Sequence, residues 1–212
     1  MPLRMFAILV AVLAACVGIA LLAWATGIKL MKPQCKVVVF AGDGDLLSIG
    51  GNHFIHACRR NLDVTVILVN NLNFAMTGGQ VAPTTPLKAV TMTTPYGSSE
   101  PSFDACKLAI AAGATYVARW TTAKHVQAVS AIKDALAHRG LSLVEIVSQC
   151  PTHYGRYALN TGDPQKLMAW INERTVPLSK AKNMDAEQLK DKFVCGKFLN
   201  VERPIYDGTT VY

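Results

Sequence analysis

The sequence predicts an α/β fold built on a βαβ unit, on three observations. Residues 36–40 (Lys-Val-Val-Val-Phe) and 64–69 (Val-Thr-Val-Ile-Leu-Val) are short β-branched and aromatic runs of the kind found in buried strands. Between them, Leu46, Leu47, Ile49, Phe54, Ile55 and Ala57 recur at helical spacing. The first run is stopped by Gly42-Asp43-Gly44 and the second by Asn70-Asn71. The right-handed crossover of such a unit brings both strand ends to one edge of the sheet, where open α/β folds bind ligands.

The remaining elements follow in order. A short helix is expected over 27–32, ending before Pro33. Residues 71–86 carry Gly, Thr and Pro without apolar periodicity, which predicts a long functional loop. Residues 103–112 read as a helix stopped by Gly113, and 115–120 as a strand. Val126, Val129, Ile132, Ala135 and Leu136 mark a helix over 124–138, and 141–147 is the last clear strand. Asp163-Pro164 starts another helix, with Asp as N-cap and Pro at the first helical position. Residues 185–193 read as a short amphipathic helix, followed by a tail packing on a partner. His53 and His56 lie one helical turn apart without a third ligand, and His125, His138 and His153 are isolated, so none is read as a metal ligand.

A chain of 212 residues suits one α/β domain. The formal charge of +7 arises from 21 basic and 14 acidic residues, and no basic run is interleaved with aromatics, which argues against nucleic acid as a partner. The six cysteines, at 16, 35, 58, 106, 150 and 195, include no Cys-x-x-Cys pair and do not form a small disulfide scaffold, which fits a reducing cytoplasm.

Asp43 and Asn71, 28 positions apart, are expected to face one crevice. Mg²⁺ takes hard oxygen ligands and is usually held by one or two side chains plus phosphate oxygens. The Asp43 carboxylate, the Asn71 amide oxygen and a loop carbonyl would make half its shell. Gly42 and Gly44 allow close backbone approach, and the following helix start offers unpaired N–H groups, so the combination describes a magnesium diphosphate site.

These residues resemble a known family. Gly42-Asp43-Gly44-Asp45, 49–53 (Ile-Gly-Gly-Asn-His), Arg59-Arg60-Asn61, 76–80 (Met-Thr-Gly-Gly-Gln) and 83–86 (Pro-Thr-Thr-Pro) are similar in order and spacing to the β subunit of 2-oxoacid:ferredoxin oxidoreductases. The likeness covers about residues 23–206, and 103–106, 111–114, 148–152 and 172–177 look most like the 2-oxoglutarate branch. It implies a thiamine diphosphate-binding fold, with a mostly parallel central sheet and helices on both faces. It further implies Mg²⁺ held by Asp43, Asn71 and the Asn73 carbonyl, diphosphate contacts from Gly42, Gly44 and Asp45, and Thr77 and Gly78 beside the cofactor. The implied reaction is oxidative decarboxylation of a 2-oxoacid to acyl-CoA with reduction of ferredoxin. Pyruvate or a branched-chain 2-oxoacid is the alternative substrate, and a cofactor-binding module without electron transfer the alternative role. The activating carboxylate of such enzymes belongs to the α subunit, γ and δ subunits can accompany it, and no catalytic residue is assignable in this chain.

Cys150 matches the place where the family puts one cysteine of a [4Fe–4S] cluster, while Cys16, Cys35 and Cys58 do not fall at the other ligand spacings. The family's N-terminal Cys-x-x-Cys pair, third cysteine and His-Gly-Arg element are missing. Residues 1–22 are instead an apolar run with no charge after Arg4. Taken cold, that run is a signal peptide or membrane helix. Against the family it reads as a truncated or mis-started product or a fusion, with a buried core helix as the third reading, and the domain proper is expected over 23–212.

Overall fold

The computed structural model describes residues 21–208, and residues 8–11 by their backbone alone. In chain order the elements are β1 (Ile8–Ala11), α1 (Leu21–Met31), β2 (Lys36–Gly42), α2 (Gly51–Arg60), β3 (Val64–Asn70), α3 (Ala105–Ala112), β4 (Tyr116–Thr121), α4 (His125–Ala137), β5 (Ser142–Val147), α5 (Tyr154–Ala158), α6 (Pro164–Arg174), β6 (Thr175–Pro177), α7 (Leu178–Ala181) and β7 (Phe193–Asn200). Seven described strands form one sheet in the order β1-β2-β3-β5-β4-β7-β6. Every neighbouring pair is parallel except β4 with β7. This is the α/β architecture the sequence predicts.

Period-two alternation divides the sheet's side chains between two faces. Val37, Val39 and Ala41 of β2, Val64, Val66 and Leu68 of β3, Val117 of β4 and Leu143 of β5 pack with buried residues of α1, α2 and α3 in the larger core. Tyr116, Ala118 and Val144, on the opposite face, pack against Ala131 and Ala135 of α4. The α4 face differs from the expected one in its first half: Val126 and Val129 are exposed and Ala128 and Ala131 are buried, while Ala135 and Ile132 pack on the sheet cluster as expected. Small side chains allow close approach, and the Tyr116 hydroxyl donates to the Ala131 carbonyl at 3.1 Å while the Thr65 hydroxyl donates to that of Ala135 at 3.3 Å. Likewise Ile49 and Ile55 are exposed, and the segment after Gly44 opens with a π-helical turn, Asp45–Ile49, before α2.

Two other expectations change. The helix expected over 27–32 begins at Leu21, so the expected boundary between residues 22 and 23 falls inside it, and Leu21 and Leu22 are buried in the larger core. The rest of the apolar run, apart from the β1 backbone, lies outside the described residues. No helix among the described residues is long and apolar enough to cross a membrane. At the other end, the expected helix over 185–193 is replaced by turns, and the expected tail begins with β7, which lies antiparallel against β4. Beyond it the Val201 N–H donates to Thr115, and the Asn61 amide donates to the Arg203 and Pro204 carbonyls at 3.2 and 3.0 Å. Asn61, the left-handed C-cap of α2, is buried between the domain and this stretch: its amide NH₂ meets the stretch while its oxygen accepts from the Thr115 hydroxyl and the Leu141 N–H.

The far edge is tied by a buried ion pair. Lys29 Nζ stands 2.6 Å from Asp63 Oδ2 and donates to the Pro33 and Cys35 carbonyls at 2.9 Å each, joining α1 to the turns flanking β2 and β3. Burial pushes the Asp63 carboxyl up, but Lys29 and the Gly140 N–H together hold it below its ordinary value of 3.8. Lys29→Met should cost about 3 kcal/mol at pH 7, since it leaves a mostly buried carboxylate without its partner. The Asp63 contribution is complete above 3.8 and fades as pH falls through the depressed folded value, so the gap to wild type should narrow in acid. Urea unfolding of both proteins at pH 7 and pH 3 measures it.

Candidate functional site

The inward rows of the larger core turn polar at the carboxyl ends of the strands. After Val37, Val39 and Ala41 comes Asp43, buried to 1% exposure; after Leu68 comes Asn70. The Asp43 carboxylate accepts from the Thr84 hydroxyl, on the long loop after β3. Burial pushes its carboxyl up to about 7, against the Thr84 and backbone hydrogen bonds that lower it. A carboxylate that dry and without a cationic partner calls for a positive charge.

Asn71 and Asn73 meet Asp43 there. With one orientation of the Asn71 amide, its oxygen lies 3.3 Å from Asp43 Oδ1 and 2.5 Å from the Asn73 carbonyl oxygen, so three acceptors converge. Turning the amide places its NH₂ against both acceptors and satisfies them. The second arrangement suits the site without a cation, and the first is the one a cation would draw together. A carboxylate, an amide oxygen and a backbone carbonyl are hard oxygen donors of the kind Mg²⁺ takes. The donor set therefore fits Mg²⁺.

The backbone that presents these oxygens is tightly held. Leu72 takes a left-handed conformation, φ 66°, unusual outside glycine, and both its backbone groups are engaged: Asn70 Oδ1 accepts from its N–H at 3.1 Å and the Thr85 hydroxyl donates to its carbonyl at 2.7 Å. Gly42 lies beside the Asp45 carboxylate, which folds back over it. Gly44 is needed for a reason the sequence did not show: a Cβ there would stand inside the Phe74 ring. Thr77 and Gly78 sit farther out on the loop; the exposed Thr77 hydroxyl donates to Gln80 Oε1 at 2.6 Å, and Gly78 has φ 117°. The structure thus gathers Asp43, Asn71 and Asn73, with Gly42, Gly44 and Asp45 at the adjoining helix start, and leaves Thr77 and Gly78 in a self-bonded loop.

Cys150 is buried beside the same turn, its thiol 3.9 Å from Asn73 Oδ1 and 3.6 Å from the Thr152 hydroxyl. Burial pushes this thiol up, but its hydrogen-bonding contacts with Thr152, neighbouring backbone and Asn73 outweigh it and bring it below the ordinary value. Among the described residues no group of three or more His, Cys, Asp or Glu is placed to hold a metal.

Sequence reasoning missed Thr84 and a buried charged network: Glu145 accepts from Asn70 Nδ2 and Arg119 Nε, both at 2.7 Å, and Arg119 Nη2 donates to Asp104 at 2.6 Å. Asn70, Thr84, Asp104, Arg119 and Glu145 line a cavity of about 420 Å³ that reaches Trp170. A signal was available, since Arg119 and Glu145 interrupt strands that are otherwise apolar.

A sheet of this order, with acid and amide side chains converging at its carboxyl edge, defines a thiamine diphosphate-binding domain. The family described as "Thiamine pyrophosphate enzyme, C-terminal TPP binding domain" matches residues 4–146. The 2-oxoglutarate synthase subunit KorB of Methanocaldococcus jannaschii is 54% identical over 183 residues, covering 86% of this chain and 67% of that protein. The KorB subunit of Methanothermobacter marburgensis is 47% identical over 183 residues, covering 86% and 64%. Among solved structures, 2-oxoglutarate:ferredoxin oxidoreductase from Magnetococcus marinus, with 2-oxoglutarate, coenzyme A and succinyl-CoA bound, superposes with a TM-score of 0.77 at 30% identity, over 90% of this chain and 65% of that one. The chain belongs to the thiamine diphosphate-binding β subunits of 2-oxoacid:ferredoxin oxidoreductases, and it spans about two thirds of the length of these relatives.

Asp43→Asn should stabilise the metal-free protein, since it keeps a partner for Thr84 while removing the buried charge. A carboxyl raised from 3.8 to about 7 on folding costs nothing below 3.8, and its cost grows as pH rises to about 7. The gain in melting temperature should therefore be larger at pH 8 than at pH 5. Calorimetric melts in chelator at the two pH values give the comparison.

Proposed function

We propose that this chain is the β subunit of a 2-oxoglutarate:ferredoxin oxidoreductase, holding Mg²⁺ and thiamine diphosphate for oxidative decarboxylation of 2-oxoglutarate to its acyl-CoA. The observation that carries the reading is the convergence of Asp43, Asn71 and the Asn73 carbonyl at the ends of β2 and β3, in a chain 54% identical to a 2-oxoglutarate synthase subunit.

Asp43 supplies the anionic ligand, Asn71 its amide oxygen and Asn73 its backbone carbonyl. Gly42, Gly44 and Asp45 present backbone to the diphosphate at the start of the π-helical turn, where the first N–H groups have no intrahelical partner. Thr77 and Gly78 complete the cradle from the long loop. When bound, thiamine diphosphate supplies the electron sink for loss of carbon dioxide. Burial of Asp43 and Asn73 excludes water from the metal's protein side.

The other half of the site belongs to an α subunit, and γ and δ subunits extend the assembly. Support comes from the loop's apolar residues, since Met76, Leu87, Met92, Tyr96 and Phe103 are all exposed around the candidate site. In the family electrons leave for ferredoxin through a [4Fe–4S] cluster; Cys150, beside Asn73, stands at one such ligand position, and the described residues bring no companion cysteines to it. Coenzyme A is the acyl acceptor. The five described cysteines are free thiols, which supports a reducing, cytoplasmic setting.

Asp43→Ala should abolish Mg²⁺-dependent thiamine diphosphate binding, while Asn71→Ala, which removes a neutral ligand, should weaken it less; isothermal titration calorimetry ranks the two. Unchanged affinity in Asp43→Ala would remove the site assignment.

The purified chain should show no turnover of 2-oxoglutarate with cofactor and metal, and decarboxylation should appear when the α subunit is added. Turnover by the chain alone would overturn the half-site.

A further inference from the structure

Glu145 and Arg119 stand where a buried strand would ordinarily carry apolar side chains, and both are nearly sealed, at 2% and 9% exposure. Their pairing follows from register, because Arg119 of β4 lies opposite Glu145 of β5. Arg119 spends one end of its guanidinium on Glu145 Oε2 and the other on Asp104, the N-cap of α3. The second Glu145 oxygen faces Asn70 Nδ2.

That last contact fixes more than one hydrogen bond. Paired with a guanidinium, a carboxylate offers acceptors only, so the Asn70 amide must turn its NH₂ toward it. Its oxygen is then directed at the Leu72 N–H, which it meets at 3.1 Å. Leu72 is the left-handed residue between Asn71 and Asn73, and a non-glycine residue keeps that conformation only when its surroundings specify it.

We propose that Glu145, held by Arg119 and Asp104, is a positioning residue for the metal loop: through Asn70 it sets the Leu72 backbone so that the Asn71 amide and the Asn73 carbonyl are presented together to Asp43. The proposal rests on the reading of Asp43, Asn71 and Asn73 as Mg²⁺ ligands. It makes the orientation of the Asn70 amide, which is outside the proposed ligand set, a determinant of metal affinity.

A polarity swap tests it. Asn70→Asp sets two carboxylates against each other, and Glu145→Gln removes the acceptor-only partner that orients Asn70. In the double variant the new amide can donate to the new carboxylate, which still accepts from the Leu72 N–H, while the amide oxygen faces Arg119. The half-saturating Mg²⁺ concentration for thiamine diphosphate binding to the full chain is the readout, with circular dichroism and melting temperature recorded for each protein. Each single variant should raise it about tenfold or more, and the double variant should return it to within about threefold of wild type. Lys29→Met, which loosens the fold at the far edge, should leave it unchanged. Should Asn70→Asp not fold, Glu145→Gln, which preserves side-chain shape, carries the comparison alone with Lys29→Met. Singles that take up Mg²⁺ like wild type, or a double variant no better than the weaker single, would overturn the positioning role. Failure of the wild-type chain to bind Mg²⁺ and thiamine diphosphate would instead remove the ligand reading beneath it.

Discussion

The structure depends on the in-register parallel pairing of β2, β3, β5 and β4. Four strands held in step carry four inward rows toward one edge, and those rows turn polar two residues earlier on β5 and β4, where Glu145 and Arg119 lie level with Leu68, than on β2 and β3. Ala41 gives way to Asp43, Leu68 to Asn70, Leu143 to Glu145 and Val117 to Arg119. The helices of that face seal the apolar part of the rows, and the chemistry begins where the apolar rows end. A slip of one residue in any strand would send its polar terminus to the opposite face.

That change of character divides the polar residues into two groups with different physics. Asp43 is dry and lacks a cationic partner, so it holds an unmet demand for positive charge. Glu145 and Arg119 are equally dry but satisfied by each other, with Asp104 and Asn70 closing the remaining ends. A buried pair of this kind contributes little net stability over an apolar pair of similar volume, so its value lies in the geometry it enforces. Asn70 stands between the two groups, and its amide has one donor end and one acceptor end to connect them.

Much of this was legible in the sequence because it is local. The βαβ unit reads from two β-branched runs around an amphipathic segment, and Asp43 and Asn71 read from their places after those runs. The α6 start was legible for the same reason, as Asp163 caps it with its own side chain. What failed needed information from distant chain. β7 (Phe-Val-Cys-Gly-Lys-Phe-Leu-Asn) is specified by the open side of β4 and has only weak alternation of its own. The α4 face was misread in its first half, where Val126 and Val129 were taken for the core and Ala128 and Ala131 are buried instead, while Ile132 and Ala135 pack as expected. The Arg119 to Glu145 pair needed β4 and β5 to be known as neighbours, and Thr84 reaches Asp43 across 41 residues of chain.

The place of β7 has a consequence for how the molecule is made. β4 pairs with β5 on one side and with β7 on the other, and β7 comes last in chain order among the described strands. During synthesis, the parallel strands and their helices can associate while residues 193–200 are still unmade, and through that interval β4 is an open edge bearing unpaired N–H and C=O groups. Closing that edge is a late, long-range step, followed by the docking of residues 201–206 onto Asn61 and Thr115. A nascent chain paused before β7 would therefore display a ready template for strand addition by another chain, and protection from self-association would arrive only with residues 193–200.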